Sequence, residues 1–249
     1  MASYNIQSGV GSDMRLDIPR IARALIRMGP LDLVALQEID VTATQDQVAD
    51  IARLAGFEHH AFVGTRPSKL GAGEYGDAVL SRLPILETYV HRFQHWWLRA
   101  DRACLFVQVR MPEERRPIWF GSAHCQHDIT ALENGAQLRE VQHAITKLLP
   151  GGNGRTAVGL DANMLGLRLV HDAAAAGLVE ACGLSHPSTF PAVSPLYRLD
   201  GLLTSSGGQV MVEVSEKDMA LSAVGSHDPQ TGEQSSDHMP VVGTLRLLT

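Results

Sequence analysis

Thr156-Ala157-Val158-Gly159-Leu160-Asp161-Ala162-Asn163 reads as a short strand, Thr156 to Leu160, that runs directly into an acid and an amide. The same pattern recurs elsewhere. Leu33-Val34-Ala35-Leu36 is a continuous apolar run, as expected of a strand buried on both faces, and Gln37 and Glu38 follow it. His124 follows the strand pattern Ile118 to Ala123, Asp200 lies inside Arg198 to Leu203, and Asp237-His238 comes just before the closing strand Val241 to Leu247. An acid in or just after a buried strand must be hydrogen-bonded, ion-paired or metal-bound, because burying it bare is too costly. One such residue can be a turn former or a helix cap. Several at strand ends mean convergence, since open α/β sheets gather their ligands beyond the strand ends.

Helical stretches separate the strands. Ile18 to Met28 carries an apolar stripe at 18, 21, 22, 25 and 28, with Asp17 as N-cap and Gly29-Pro30 as the stop. Thr44 to Ala55 opens on a capping-box pattern, Thr44 to Gln47, and ends before Gly56. Asn134 to Leu149 is the longest helix candidate, and an Ala-rich helix spans Leu167 to Ala176. Ala78 to Ser81, Cys104 to Val109 and Gln209 to Val214 supply further strands. With no linker, repeat or charge run to mark a boundary, the expectation is one α/β domain over residues 1–249 with mixed sheets.

The 249 residues carry 21 basic and 27 acidic side chains, a net charge of -6, and 45% hydrophobic residues. That excludes a disordered, collagen-like or coiled-coil chain. It also disfavours nucleic acid as a partner, because duplex affinity comes mainly from neutralised phosphates. Cys104, Cys125 and Cys182 are odd in number without CxxC spacing, which fits a reducing compartment better than a disulfide framework. No signal-peptide pattern and no run near the ~20 apolar residues of a membrane span is present. The expectation is a cytoplasmic protein.

Tyr4-Asn5-Ile6, Leu36-Gln37-Glu38, Gly73-Glu74-Tyr75-Gly76, Ala123-His124, Gly159-Leu160-Asp161-Ala162-Asn163, Arg198-Leu199-Asp200 and Ser236-Asp237-His238-Met239-Pro240-Val241 occur in that order. The set resembles the endonuclease/exonuclease/phosphatase (DNase I-like) superfamily, over residues 4 to 241. The resemblance implies a four-layer α/β/β/α sandwich, two mixed β-sheets packed face to face with helices outside. It further implies divalent-metal-dependent cleavage of a phosphoester, with Mg²⁺ or Mn²⁺ as cofactor. On that basis Glu38 is the principal metal ligand, with Asn5 and Asp237 beside it. Asp161 is the base or water-orienting residue, and Asn163 donates to a phosphoryl oxygen. Asp200 orients His238, whose imidazolium meets the developing charge, and His124 is a second phosphate or leaving-group contact. Asp200 could instead pair with Arg198. One departure is Tyr75-Gly76-Asp77-Ala78 where relatives read YGNA: Asp77 adds a negative charge that would repel a highly charged phosphate or touch the metal.

Arg92, Arg99 and Arg102 surround Trp96-Trp97, an arrangement able to stack a base or meet a lipid surface, or simply to cap the core. His124 and His127 at i and i+3 lack the further ligands of a zinc site. The function expected is a hydrolase, a phosphodiesterase or phosphatase acting on a small or lipid-linked phosphoester. The alternatives are a DNA endonuclease or exonuclease of the same fold and a non-catalytic binding module.

Overall fold

A computed structural model describes residues 1–94, 101–112, 114–127, 132–183 and 186–248. In chain order its elements are β1 (Ala2–Asn5), α1 (Ile18–Arg27), β2 (Leu33–Thr42), α2 (Gln47–Ala55), β3 (His59–Pro67), β4 (Gly73–Ser81) and β5 (Ile85–Arg92). β6 (Ala103–Val109), β7 (Ile118–His124) and α3 (Leu132–His143) follow, with a π-helical turn at Ala144–Leu148. Then come β8 (Thr156–Asp161), α4 (Gly166–Ala175), β9 (Leu178–Glu180), β10 (Asp200–Ser205), β11 (Val210–Glu213), α5 (Glu216–Ser226), β12 (Val241–Val242) and β13 (Thr244–Leu247). One sheet has the order β12-β1-β2-β4-β3, the other β5-β6-β7-β8-β10-β9, and β11 and β13 form a small ribbon. Both large sheets are mixed, with a single parallel pair near the centre of each, β1 with β2 and β7 with β8.

Three apolar layers hold the sandwich together. Ile21, Leu25, Val48 and Ile51 from α1 and α2 pack on one sheet. Leu138, Val141 and Leu169 from α3 and α4 pack on the other. Ala35, Val79, Leu105, Val107 and Phe120 fill the space between the sheets. This is the expected four-layer architecture of two mixed sheets flanked by helices. The strands with continuous apolar runs lie in the middle because both of their faces are covered.

Local chemistry sets the ends of the elements. The Asp17 carboxylate accepts from the Arg20 backbone N–H at 3.0 Å, capping α1 as expected. The cap of α2 is Asp46, not Thr44: Asp46 accepts from Ala49 N–H at 2.9 Å. β2 runs on to Thr42, whose hydroxyl accepts from Gln45 N–H at 3.1 Å. The chain therefore leaves the sheet too late for Thr44 to cap anything. The expected final strand divides at Gly243, with β12 on the edge of the first sheet and β13 paired to β11. Asp200 opens β10 instead of lying inside it.

The sheets touch closely beneath the strand ends. A Cβ on Gly159 would fall 2.7 Å from Ala35 Cβ and 2.8 Å from Ser3 Cβ, atoms fixed to opposing backbone. Nearby, Gln37 Nε2 donates across the sandwich to Ser122 Oγ at 3.1 Å, and Ser122 Oγ donates to Leu36 O at 3.0 Å. Gly159→Ala is therefore expected to cost about 1–3 kcal/mol of unfolding free energy by forcing the sheets apart. Chemical denaturation measures this, and an unchanged midpoint would show that the interface yields freely.

Candidate active site

The two parallel pairs put four polar residues at one end of the sandwich. Asn5 ends β1 opposite Gln37, and His124 ends β7 opposite Asp161, which ends β8. Asp200 faces Asp161 across the antiparallel β8–β10 pair. Asp237 and His238 arrive on the segment before β12, tied down where Ser236 Oγ donates to Asn5 O at 2.8 Å.

Glu38 does not stand at a strand end, as the sequence suggested. The strand continues past it through a bulge between Leu36 and Ile39, and Glu38 adopts φ 60. A left-handed glutamate is costly, and such residues persist where the surroundings hold them for a purpose. The bulge turns the carboxylate out of the pleat toward Asn5.

Asn5 connects the two halves of the site. Its Nδ2 donates to Glu38 Oε1 at 3.1 Å and to Asp161 Oδ2 at 2.9 Å, while its Oδ1 accepts from Gln7 N–H at 3.0 Å. The amide thus serves as a bridge between carboxylates. Its oxygen accepts one backbone bond and keeps a second lone pair.

Asp161 is 1% exposed. Burial pushes its pKa up to about 7 against the pull of His238, with Asp200 adding to the rise and the Asn5 hydrogen bond opposing it. Asn163 (φ 49) donates its backbone N–H to Asp161 Oδ1 at 2.9 Å. The Asn163 side-chain amide lies 3.0 Å from His124 Nε2 and 3.1 Å from Cys125 O. His124 is kept neutral: burial first, then the nearby Arg102, lowers its pKa well below the ordinary value. Arg102 Nη1 reaches His124 Nδ1 at 2.7 Å. Guanidinium can only donate, so Nδ1 accepts from Arg102, and Nε2 lies between the Asn163 amide nitrogen at 3.0 Å and Asp161 Oδ2 at 3.4 Å.

Asp200 pairs with His238 and not with Arg198. His238 Nδ1 donates to Asp200 Oδ2 at 2.9 Å, whereas Arg198 Nη1 donates to Glu180 Oε2 at 2.9 Å. Burial alone would lower the His238 pKa, but the charges of Asp200 and Asp161 outweigh it and raise it to about 10. The imidazolium is therefore stable at neutral pH. Its Nε2 is 3.9 Å from Asp161 Oδ2, and Phe190 packs on the ring at 4.9 Å between centroids.

The donor chemistry suits a hard divalent cation. Asp161, Asp200 and His238 each place a ligand-capable atom within 4.8 Å of the others, although the proton held on His238 favours an ion pair there. Glu38 and Asp237 are the better oxygen donors. Burial raises the Asp237 pKa, and the Glu38 charge adds to the rise against His238. The Glu38 charge acts on Asp237 at half-buried positions, and a cation bound to both carboxylates would relieve that cost.

Phe190 was not singled out from sequence, and Arg102 was singled out only with Arg92 and Arg99 around Trp96-Trp97. Arg102 also precedes β6, which starts at the end where β7 and β8 finish, and that adjacency was its signal for this site. Arg102 is buried, so it is neither a solvated nor a base-stacking arginine; Trp96, Trp97 and Arg99 lie outside the described residues. Asp77 is buried too, and burial, helped by Glu38 and Asp161 against the pull of Arg102 and Arg66, raises its pKa well above the ordinary range. Burial thus opposes the extra negative charge expected at this position, and Asp77 Oδ1 has no hydrogen-bond partner among the described residues.

The endonuclease/exonuclease/phosphatase family model matches residues 2–238, and the chain belongs to that family. Its members are hydrolases of phosphoester bonds and normally use a divalent metal. Solved structures share the fold. An endonuclease/exonuclease/phosphatase from Beutenbergia cavernae is 21% identical, with a TM-score of 0.69 over 99% of this chain and 71% of that one. A mannosyl-6-phosphatase from Bacteroides thetaiotaomicron is 18% identical, with a TM-score of 0.70 over 99% and 98% of the two chains. A humanized D. rerio TDP2 is 18% identical, with a TM-score of 0.66 over 98% and 97%. No curated protein matches the sequence. Among the described residues, no helix is long and apolar enough to cross a membrane.

Proposed function

We propose that residues 1–249 act as one catalytic unit, a Mg²⁺- or Mn²⁺-dependent hydrolase of a small or lipid-linked phosphoester. One observation carries this reading: the Asn5 amide joins Glu38 to Asp161, so a candidate metal carboxylate and a candidate base are held by the same side chain. Glu38 and Asp237 would hold the cation, with Asn5 fixing the Glu38 carboxylate. A cation there supplies charge neutralisation at the phosphoryl oxygens and Lewis acidity toward the attacking water.

The chain's own groups do the rest. Asp161, with a pKa of about 7, accepts the proton of the attacking water, since a base works best when its pKa lies near the working pH. His238 stays cationic on Asp200 and offers an N–H and a positive charge to the phosphoryl oxygens as negative charge builds there. Asn163 and the neutral His124, 3.0 Å apart beside Asp161, would help to orient the phosphate or its leaving group.

The net charge of -6 favours a compact substrate over duplex DNA. The test is turnover of p-nitrophenyl phosphate, bis-p-nitrophenyl phosphate, sphingomyelin, and supercoiled and abasic plasmid DNA, with Mg²⁺ or Mn²⁺ and with EDTA. Metal-dependent hydrolysis of a small or lipid phosphoester is the expected result. Efficient DNA nicking at physiological salt without small-molecule turnover would establish the nuclease alternative, and no turnover of any substrate would favour a binding module.

A further inference from the structure

Beside Glu38 lie hydrogen-bond donor atoms that find no acceptor among the described residues. Tyr75 on β4 is 4% exposed, and its hydroxyl has no partner. Burial first, then the charge of Glu38, keeps that hydroxyl protonated, so it is a donor. Arg66, opposite Tyr75 on β3, lays its guanidinium over the Tyr75 ring, with Cζ 3.9 Å from the centroid. Its Nε is also buried and unpartnered. Arg102, 7% exposed, binds His124 through Nη1 but leaves Nε without a partner.

Each unmade buried bond costs roughly 1–3 kcal/mol. Three donors left idle at one end of a sandwich call for a common acceptor. Tyr75 opposes Asp40 on β2, next to the Ile39–Gly76 pair that closes the bulge of Glu38. On the far side, Arg102 touches His124. The donors therefore border the catalytic cluster. Of the acidic groups nearby, burial opposes the charged form of Asp77, and Glu38 is engaged by Asn5. At the rim, Arg92 Nη2 donates to Gly64 O at 3.2 Å and adds a third positive charge.

We propose that Arg66, Tyr75 and Arg102 form a second oxyanion subsite, so that the substrate is a small phosphoester carrying another phosphate or carboxylate group. This rests on the phosphoester-hydrolase reading above and narrows its substrate class. A guanidinium fork and a phenol are all donors, which suits an oxyanion and gives a neutral alcohol or sugar ring little to gain. Arg66, Arg92 and Arg102 supply positive charge at this end of the molecule, and fields act over short range, so the acidic net charge does not by itself exclude an anion here.

The test compares mannose 1,6-bisphosphate with mannose 6-phosphate. Calorimetric binding to the metal-free protein in EDTA is measured alongside kcat and KM with Mg²⁺. The bisphosphate is expected to bind about tenfold more tightly or better. Tyr75→Phe and Arg66→Gln should each remove most of that preference through KM, with kcat and mannose 6-phosphate binding within about twofold. Tyr75→Phe should leave the melting temperature unchanged or raised, since it deletes an unsatisfied buried hydroxyl. Equal binding of the two sugars by the wild type overturns the subsite, as does a preference that survives both substitutions. Absence of all turnover with the binding preference intact would instead count against the catalytic reading alone.

Discussion

Glu38→Gln is expected to abolish metal-dependent turnover, lowering kcat/KM by about 10³-fold or more at limiting Mg²⁺, equivalent to ~4 kcal/mol of transition-state stabilisation. The amide keeps the size of the side chain and can still accept from Asn5 Nδ2. It removes the charge that a cation needs and that presses on Asp237. Loss of that repulsion should leave the melting temperature of the metal-free variant equal to or above that of wild type. Added Mg²⁺ should then stabilise the wild type more than the variant. Wild-type turnover by Glu38→Gln at limiting Mg²⁺ would remove Glu38 from the metal site.

Asp200→Asn and His238→Ala should each lower kcat by roughly 10²–10⁴-fold, and the double variant should be little worse than the poorer single one. The imidazolium serves only while the carboxylate 2.9 Å away sustains it. Additive losses would show that the two act separately. An NMR titration gives an independent reading. In the wild type, His238 should hold its proton to about pH 10. In Asp200→Asn, burial is no longer outweighed to the same extent, and the titration should move sharply downward. The sign for stability follows. His238's folded pKa of about 10 lies above its ordinary 6.5. Its contribution is complete below pH 6.5 and is lost as the pH rises toward 10.

Much of this cluster was legible because parallel strands end together: Asp161 and His124 declare themselves as polar residues closing apolar runs, and they meet in register. Asp200 was recognisable as a buried strand acid, and its partner as the His of the final motif. Glu38 was found for an incomplete reason. Nothing in Leu36-Gln37-Glu38 announces a left-handed glutamate, because a bulge is decided by pairing with β4 and not by local preference. β3 and β5 were missed because β3 buries only Val63 and Thr65 and β5 buries none of its residues, so neither carries a long apolar run. α5 was missed because Glu216 to Ser226 shows no apolar stripe, and its start rests on the Ser215–Asp218 capping box. Tyr75 and Arg102 escaped notice as donors because an unpartnered atom is a property of the fold and cannot be seen in composition.

One joint binds the start of the chain to its end. β1 pairs with β12, Ala2 opposite Val242, and Ser236 Oγ fastens to Asn5 O. Asp237 and His238 lie beside Asn5 only through that closure. Such a pairing spans nearly the entire sequence, and contacts of that range form late. During synthesis the emerging polypeptide carries Asn5, Glu38 and Asp161 long before the residues that complete them. The proposed site is therefore incomplete in a nascent chain that has not yet supplied residues 236–242, and it closes only when β12 pairs with β1.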